Sequence, residues 1–170
     1  MRKLSYMAVA LLAFGVVGYA AEKAKETNLL KPANVADNWR MEQHEGGKGK
    51  LSVDGDAIVL EATETTTEAW HVQANMTGLD LAEGKEYTLS FQAKADKDRP
   101  IMIQAMIDQD DWHAIGLAEQ VDITKEFKPY TFTFKAENVV KGKNRITIQV
   151  GQEKGKVWIK DAKLVPVAMK

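Results

Sequence analysis

The chain of 170 residues contains no cysteine, so no disulfide can contribute to its stability. It also lacks an excess of basic residues, since 23 lysines and arginines stand against 24 acidic residues. This balance excludes nucleic acid as an expected partner. The three histidines, His44, His71 and His113, show none of the paired spacings that zinc sites use. The folded state must therefore be held by its apolar core alone.

The sequence has a single long apolar run, near its N-terminus. Two basic residues precede this run over residues 7–17, and small residues follow it. This order is typical of a secretory signal peptide, with cleavage after Ala20 or Ala21. A membrane anchor is the alternative, but the run is shorter than the roughly 20 residues that span a bilayer. We predict a signal peptide over residues 1–20, a secreted or periplasmic location, and no membrane insertion of the mature chain.

The rest of the chain has the size of one domain. Residues 21–27 are charged and poor in apolar residues, which predicts a flexible leader. Residues 28–170 then form the folded module. Removal of two basic residues with the signal peptide leaves 21 basic against 24 acidic residues, so the mature chain carries a net charge of about −3.

Apolar and polar residues alternate with period two along the module. In residues 87–95 every odd-numbered residue is apolar or aromatic and every even-numbered residue is polar, which predicts a strand. Residues 101–107 also place their odd-numbered apolar residues on one face, with Met102, Gln104 and Met106 on the other. The turn-like residues 96–100 between the two strands predict an antiparallel hairpin. Further strands are predicted at about residues 39–43, 50–53, 57–62, 70–76, 116–121, 130–136, 145–150 and 157–165. Short strands without helical crossovers predict an all-β, two-sheet antiparallel β-sandwich.

Several segments, in their order, resemble a known family. They are Asn28-Leu-Leu30, Trp70-His-Val-Gln73, residues 81–95, residues 130–134 and residues 155–164. Their order is similar to that of the carbohydrate-binding modules of families 4, 9 and 22, in the galactose-binding-like superfamily. The most specific segments read G-K-x-Y-T-L-S-F-x-A-K-A at 84–95 and V-W-I-x-D-x-x-L at 157–164. The resemblance implies a jelly roll that binds a polysaccharide or oligosaccharide without catalysis.

Four glutamines stand in the middle of predicted strands. A sugar ring has apolar C–H faces and a rim of hydroxyls, so its site needs aromatic surface and amide partners. The alternation places Gln92, Gln104 and Gln149 on the outer side of their strands, and Gln73 likewise if Val72 is buried. We predict that these four glutamines line one concave groove. A solvated sheet face, which antiparallel sheets commonly have, is the alternative interpretation.

Two tryptophan–histidine pairs lie beside these strands. Trp70 and His71 begin the strand of Gln73, and Trp112 and His113 lie in the acidic loop after the strand of Gln104. Loops after strands form the rims of such grooves, which makes Trp112 the better candidate for stacking on a sugar; Trp70 fits a buried position equally well. The predicted carbohydrate-binding residues are Trp70, His71, Gln73, Gln92, Gln104, Trp112 and Gln149. The tryptophans predicted to lie in the core are Trp39 and Trp158.

No cofactor is required by this interpretation. Members of the superfamily often hold a structural calcium between the opening segment and the last strand, and Asp161 matches their closing aspartate. The opening residues 28–32 lack the acidic residue that usually helps to bind this ion. The resemblance therefore leaves a structural calcium at Asp161 open.

A small jelly-roll glycoside hydrolase or lyase is the catalytic alternative. It would need two positioned carboxylates, or a tyrosine and a histidine, inside the groove. The acidic residues here cluster instead in segments such as 61–68 and 108–111. A structural or protein-binding sandwich of the cell envelope is a further alternative, in which the amide face is only solvated. The amide-lined groove favours a non-catalytic module.

We predict that the exported protein is processed, because the basic start, the apolar run and the small-residue exit occur together. The N-terminus of the exported pool should lie at residue 21 or 22. Intact-mass measurement of protein recovered outside the cytoplasm checks this. An exported pool that still begins at Met1 would contradict the signal peptide.

Overall fold

The computed structural model describes residues 27–168, so the predicted signal peptide and most of the predicted leader lie outside the described residues. Ten strands and two short 3-10 turns follow one another. The strands are β1 (Arg40–Gln43), β2 (Lys48–Asp54), β3 (Ala57–Glu64), β4 (Val72–Leu79), β5 (Glu86–Ala95), β6 (Arg99–Ile107), β7 (Ala114–Ile123), β8 (Lys128–Lys135), β9 (Asn144–Gln149) and β10 (Gly155–Pro166). The 3-10 turns cover Ala36–Asn38 and Ala69–His71. Within the described residues no helix is long and apolar enough to cross a membrane.

The strands form two five-stranded sheets in which every neighbouring pair is antiparallel. Sheet A has the order β1-β4-β9-β6-β7, and sheet B has the order β2-β3-β10-β5-β8. All ten predicted strands are present, with ends that differ by a few residues. The predicted all-β, two-sheet antiparallel jelly roll is therefore confirmed.

The predicted hairpin between residues 87–95 and 101–107 is wrong. Strand β5 pairs with β10 and β8 in sheet B, whereas β6 pairs with β9 and β7 in sheet A. The connection between β5 and β6 thus crosses from one sheet to the other. Both strands do bury their odd-numbered residues, as predicted. Period two fixes which side of a strand faces the core, but not which strand lies beside it.

The core lies between the sheets and consists of these inward-facing side chains. Trp39 belongs to it, as predicted, since only 6% of this residue is exposed. Its indole N–H donates to the carbonyl of Ala33 at 2.8 Å, so its one polar atom is satisfied. The largest side chains that are fully buried are Met76, Leu89, Ile101, Ile103, Ile107, Ile115, Ile123, Ile146, Ile159, Leu164, Val72 and Val150.

Trp158 is not in the core, so this prediction is wrong. Its neighbours Val157 and Ile159 point inward, and period two therefore turns Trp158 to the outer face of sheet B. There it is half-buried, and its indole Nε1 donates to Asp54 Oδ2 at 2.9 Å. The ammonium of Lys94 lies 4.9 Å from its ring centroid. These contacts anchor the ring on the face opposite to sheet A.

Strand β7 of sheet A passes very close to the end of β8 of sheet B. At this approach Gly116 has a φ of 110°, and a Cβ at this position would clash with the carbonyl oxygen of Lys135. Only glycine fits both the backbone angle and the space. Gly142 offers a comparison, because its φ is 69° but nothing lies within 4 Å of the place that its Cβ would take.

We expect Gly116→Ala to lower the free energy of unfolding by about 3 kcal/mol or more, because the methyl must displace backbone. Gly142→Ala should cost only about 1 kcal/mol, the strain of a positive φ. Urea denaturation of both variants measures the difference. Equal losses would show that the two sheets do not approach at Gly116.

Candidate functional site

The outer face of sheet A carries polar side chains in rows across the strands. Strand register places directly opposed residues side by side, so that each row joins neighbouring strands. One row is Glu42, Gln73 and Gln149 on β1, β4 and β9. The next row is Arg40, Asn75, Thr147 and Gln104 on β1, β4, β9 and β6. Amide, hydroxyl and charged groups are thereby brought together on one face.

A cavity of about 430 Å³ opens over these rows. This volume lies in the range of small-molecule sites, roughly 300–1,000 Å³. Its walls come from four strands of sheet A and from the segments that precede β4 and follow β1 and β6. The lining residues are Glu42, His44, Trp70, Gln73, Gln104, Met106, Trp112, Arg145 and Gln149.

Three of the four predicted glutamines meet in this cavity. Gln149 Nε2 donates to Gln104 Oε1 at 2.7 Å, and Gln73 Nε2 donates to Glu42 Oε2 at 2.9 Å. Gln73 is 4% exposed, and its Oε1 is buried without a hydrogen-bond partner. An unpaired buried acceptor costs on the order of 1–3 kcal/mol. Amide groups therefore line the cavity floor, and Gln104, which is only partly buried, is the most accessible of the three.

Gln92 does not belong to the cavity, so the prediction that four glutamines share one groove is wrong for this residue. It lies on β5, and β5 is in sheet B because the predicted hairpin does not form. Its Nε2 donates to Asp161 Oδ2 at 2.8 Å on the opposite side of the sandwich.

Two arginines and two carboxylates form a charge cluster at the β1 side of the cavity. Glu42 accepts from Arg40 Nη2 at 2.6 Å and from Arg145 Nη1 at 3.2 Å. Asp108 Oδ2 accepts from Arg40 Nη1 at 3.0 Å. The hydrogen bond from Arg40 holds the pKa of Asp108 below its usual value, and the same bond raises the pKa of Arg40. With two arginines and two carboxylates, the cluster has no net charge.

Two tryptophans are exposed in the cavity, Trp70 by 42% and Trp112 by 46%. Trp70 comes from the 3-10 turn before β4, and its ring centroid lies 5.3 Å from that of His44. Trp112 comes from the connection between β6 and β7, and the guanidinium carbon of Arg145 lies 4.8 Å from its ring centroid. Trp112 also has a φ of 45°, which is rare for a bulky residue. Backbone strain of this kind is concentrated at functional sites.

His71 is not among the residues that line the cavity. It is 6% exposed, and its Nδ1 lies 2.6 Å from the hydroxyl oxygen of Thr66. Its ring meets the Trp70 ring edge-on, with 4.0 Å between the centroids. His71 therefore supports the turn that presents Trp70.

Sequence reasoning missed four lining residues: Glu42, His44, Met106 and Arg145. A signal was present for Arg145, because it lies four residues before Gln149 and so faces the same side of β9. Met106 lies two residues after Gln104 and so faces the same side of β6. Glu42 and His44 had no comparable signal, since only the pairing of β1 with β4 brings Glu42 beside Gln73.

The opening segment is tied to β10 by an amide side chain. Asn28 Nδ2 donates to the carbonyl of Ala162 at 3.2 Å, and its Oδ1 accepts from Leu164 N–H at 2.9 Å. The Asp161 carboxylate accepts from Gln92. Within residues 27–168 no group of three or more carboxylate or imidazole side chains is arranged to hold a metal. Calcium also takes backbone and amide carbonyl oxygens as ligands, so a structural calcium at Asp161 stays an untested prediction.

Comparison with known proteins gives the following likenesses. The model of the carbohydrate binding domain family matches residues 27–159. A solved family 4 carbohydrate-binding module, CBM4, is 26% identical, with a TM-score of 0.69 over 81% of this chain and 92% of that chain. The N-terminal cellulose-binding domain of Cellulomonas fimi β-1,4-glucanase C is 16% identical, with a TM-score of 0.65 over 85% of this chain and 100% of that chain. No curated protein matches the chain.

One similar structure is part of an enzyme. An arabinose-bound α-L-arabinofuranosidase is 9% identical, with a TM-score of 0.64 over 84% of this chain but only 27% of that chain. At this identity the likeness shows a shared fold alone.

Glu42→Gln should lower the free energy of unfolding by about 2 kcal/mol. The substitution removes the carboxylate that pairs with Arg145, whose buried charge is then less well compensated. Glu64→Gln is the matched control. Glu64 pairs with Lys154 at 2.9 Å, but both side chains are more than half exposed, so the urea midpoint should not move. Equal effects of the two substitutions would refute the view that the cluster stabilises the site.

Proposed function

The chain belongs to the carbohydrate-binding domain family, and from this premise we propose that it binds a neutral glycan chain in the cavity on sheet A, without catalysis. The proposal assigns the contact surface to Trp70, Trp112, Gln73, Gln104 and Gln149. It places the protein outside the cytoplasm, where the predicted signal peptide would deliver it.

The observation that carries the proposal is the meeting of two exposed indole rings with an amide-lined floor in one cavity. Gln104 lines this floor and is only partly buried. Its amide group can form hydrogen bonds with sugar hydroxyls. Trp70 and Trp112 offer flat apolar surface to the C–H faces of the rings. A glycan is the class of ligand that presents both kinds of group at once.

The charge balance of the cavity favours a neutral glycan. The positive charges of Arg40 and Arg145 are already paired with Glu42 and Asp108. A carboxylate or sulfate group on the ligand would approach two carboxylates and find no free cation in the cluster. Its desolvation would then go uncompensated.

The same pairing argues against hydrolysis. A glycosidase needs a protonated carboxyl group as its general acid, which requires a raised pKa. Arginine instead lowers the pKa of Asp108, and Glu42 is held by Arg40 and Arg145. Glu42 in the cavity wall and Asp108 beside it thus serve to orient the two arginine side chains.

The first probes are soluble oligosaccharides of β-1,4-glucan, since a similar structure is a cellulose-binding domain, followed by xylan, β-1,3-glucan, mannan and the acidic polygalacturonate. Gln104→Ala should weaken binding of a neutral glycan by about 1 kcal/mol, the typical value of one hydrogen bond. Trp112→Ala should cost more, because it removes apolar contact area as well. Isothermal titration calorimetry measures both.

Gln92→Ala and Trp158→Ala are the matched controls, because both residues lie on sheet B, away from the cavity. Affinities that are equal in all five proteins, wild type included, would exclude the cavity as the site. Release of shorter sugars from any probe would favour a hydrolase or lyase. Failure to bind every probe would favour a structural or protein-binding sandwich of the envelope.

A further inference from the structure

The ring of His113 contacts two hydrogen-bond acceptors. Its Nδ1 lies 2.8 Å from Asp111 Oδ2, and its Nε2 lies 3.0 Å from the carbonyl oxygen of Asn138. A carboxylate and a carbonyl oxygen can only accept, and a neutral imidazole carries a single N–H. Both bonds can form together only when both ring nitrogens are protonated. The geometry therefore selects the imidazolium form.

These bonds tie together two connections between strands. His113 ends the segment between β6 and β7, which presents Trp112, and Asn138 lies between β8 and β9. The same segment is closed by Trp112 N–H donating to the carbonyl of Gln109 at 2.9 Å. The guanidinium group of Arg145 packs against one face of the Trp112 ring. Two backbone hydrogen bonds also hold the segment, from Asp108 N–H to the carbonyl of Lys143 at 2.7 Å and from Ile107 N–H to the carbonyl of His113 at 3.1 Å. The His113 side chain adds a contact near its C-terminal end that depends on protonation.

We propose that protonated His113 is a latch that holds the Trp112 loop, residues 108–113, in the conformation that forms the cavity wall. When the imidazolium loses a proton, one of its two bonds is lost and the loop loosens. Glycan affinity then falls as pH rises. The affinity step rests on the proposed function, whereas the loosening of the loop does not. His113 is a positioning residue, since it does not line the cavity.

The charged groups around the latch are few. On its own loop, Asp111 is the only carboxylate among the described residues within 4 Å of either ring nitrogen. In the connection between β8 and β9, which His113 contacts, Glu137 pairs with Lys135 at 3.4 Å. Val139 N–H in the same connection donates to Glu83 at 3.0 Å. The other charged residues of the two connections are Asp108, Asp110, Lys141 and Lys143.

The direction of the pH effect follows from these contacts. The carbonyl of Asn138, and then the carboxylate of Asp111, raise the pKa of His113 above the ordinary 6.5. Protonated His113 stabilises the closed loop in full at pH values below the pKa that His113 has when the loop is open. This contribution is lost as pH rises through the raised pKa. The loop should therefore be tightest in mildly acidic solution and loosen as pH rises through that raised pKa.

The direct test follows the histidine rings and the indole N–H of Trp112 by NMR, in the unliganded protein, from about pH 5 to about pH 9. His113 should titrate above 6.5, and amide exchange of residues 109–113 should speed up with the same midpoint. Asp111→Asn should lower that midpoint. Asp110→Asn is the matched control, because it removes the same charge from an exposed neighbour. A His113 midpoint at or below 6.5, or loop exchange that shows no change beyond its intrinsic pH dependence, would overturn the latch.

The affinity test uses the soluble β-1,4-glucan oligosaccharide, or whichever neutral probe binds. The Kd of the wild type should rise about threefold across this pH range, the effect of an exposed charged contact. His113→Arg keeps the charge and the donors at every pH, so its Kd should stay constant. His113→Gln should bind weakly throughout. Since His44 also lines the cavity, a pH dependence that persists in His113→Gln would contradict the latch. If no probe binds, the proposed function fails, while the NMR titration still decides the latch.

Discussion

Every second side chain along each strand packs between the two sheets, and the rest of the structure depends on this contact. Burial of Ile101 and Ile103 fixes the rotation of β6, and burial of Ile146 and Ile148 fixes that of β9. Gln104, next to Ile103, and Gln149, next to Ile148, must then face outward, which makes them diagonal neighbours on sheet A. The apolar core therefore determines which polar groups form the cavity, although it makes no contact with a ligand there.

The cavity differs from an ordinary solvated sheet face in how its polar groups are held. Gln73 and Gln149 in its lining are almost fully buried, as are their outward-facing neighbours Asn75 and Thr147 on the same sheet. The charge cluster of Arg40, Glu42, Asp108 and Arg145 fixes one wall, and Arg145 also supports the ring of Trp112. Side chains that are ordered before a ligand arrives lose less conformational entropy on binding. This preorganisation is what the proposed glycan site requires.

The strands, and the side that each residue faces, can be predicted from the sequence because the alternation of apolar and polar residues is a local pattern. Gln104 and Gln149 could be placed in this way. Strand pairing depends on contacts distant in the chain, so the crossing from β5 to β6 was missed and Gln92 was assigned to the wrong sheet. The charge cluster was missed for the same reason, since its members come from β1, β9 and a loop. Apolar Val157 and Ile159 on either side favour a core position for Trp158, but when both neighbours point inward the alternation turns the residue between them outward.

The central claim is that the cavity on sheet A, and not the outer face of sheet B, receives the glycan. NMR spectra of the protein, with and without a saturating neutral oligosaccharide, report on each indole N–H separately. The account predicts that the signals of Trp70 and Trp112 shift, while those of Trp39 in the core and Trp158 on sheet B stay in place. A shift confined to Trp158, together with unchanged signals from Trp70 and Trp112, would contradict it.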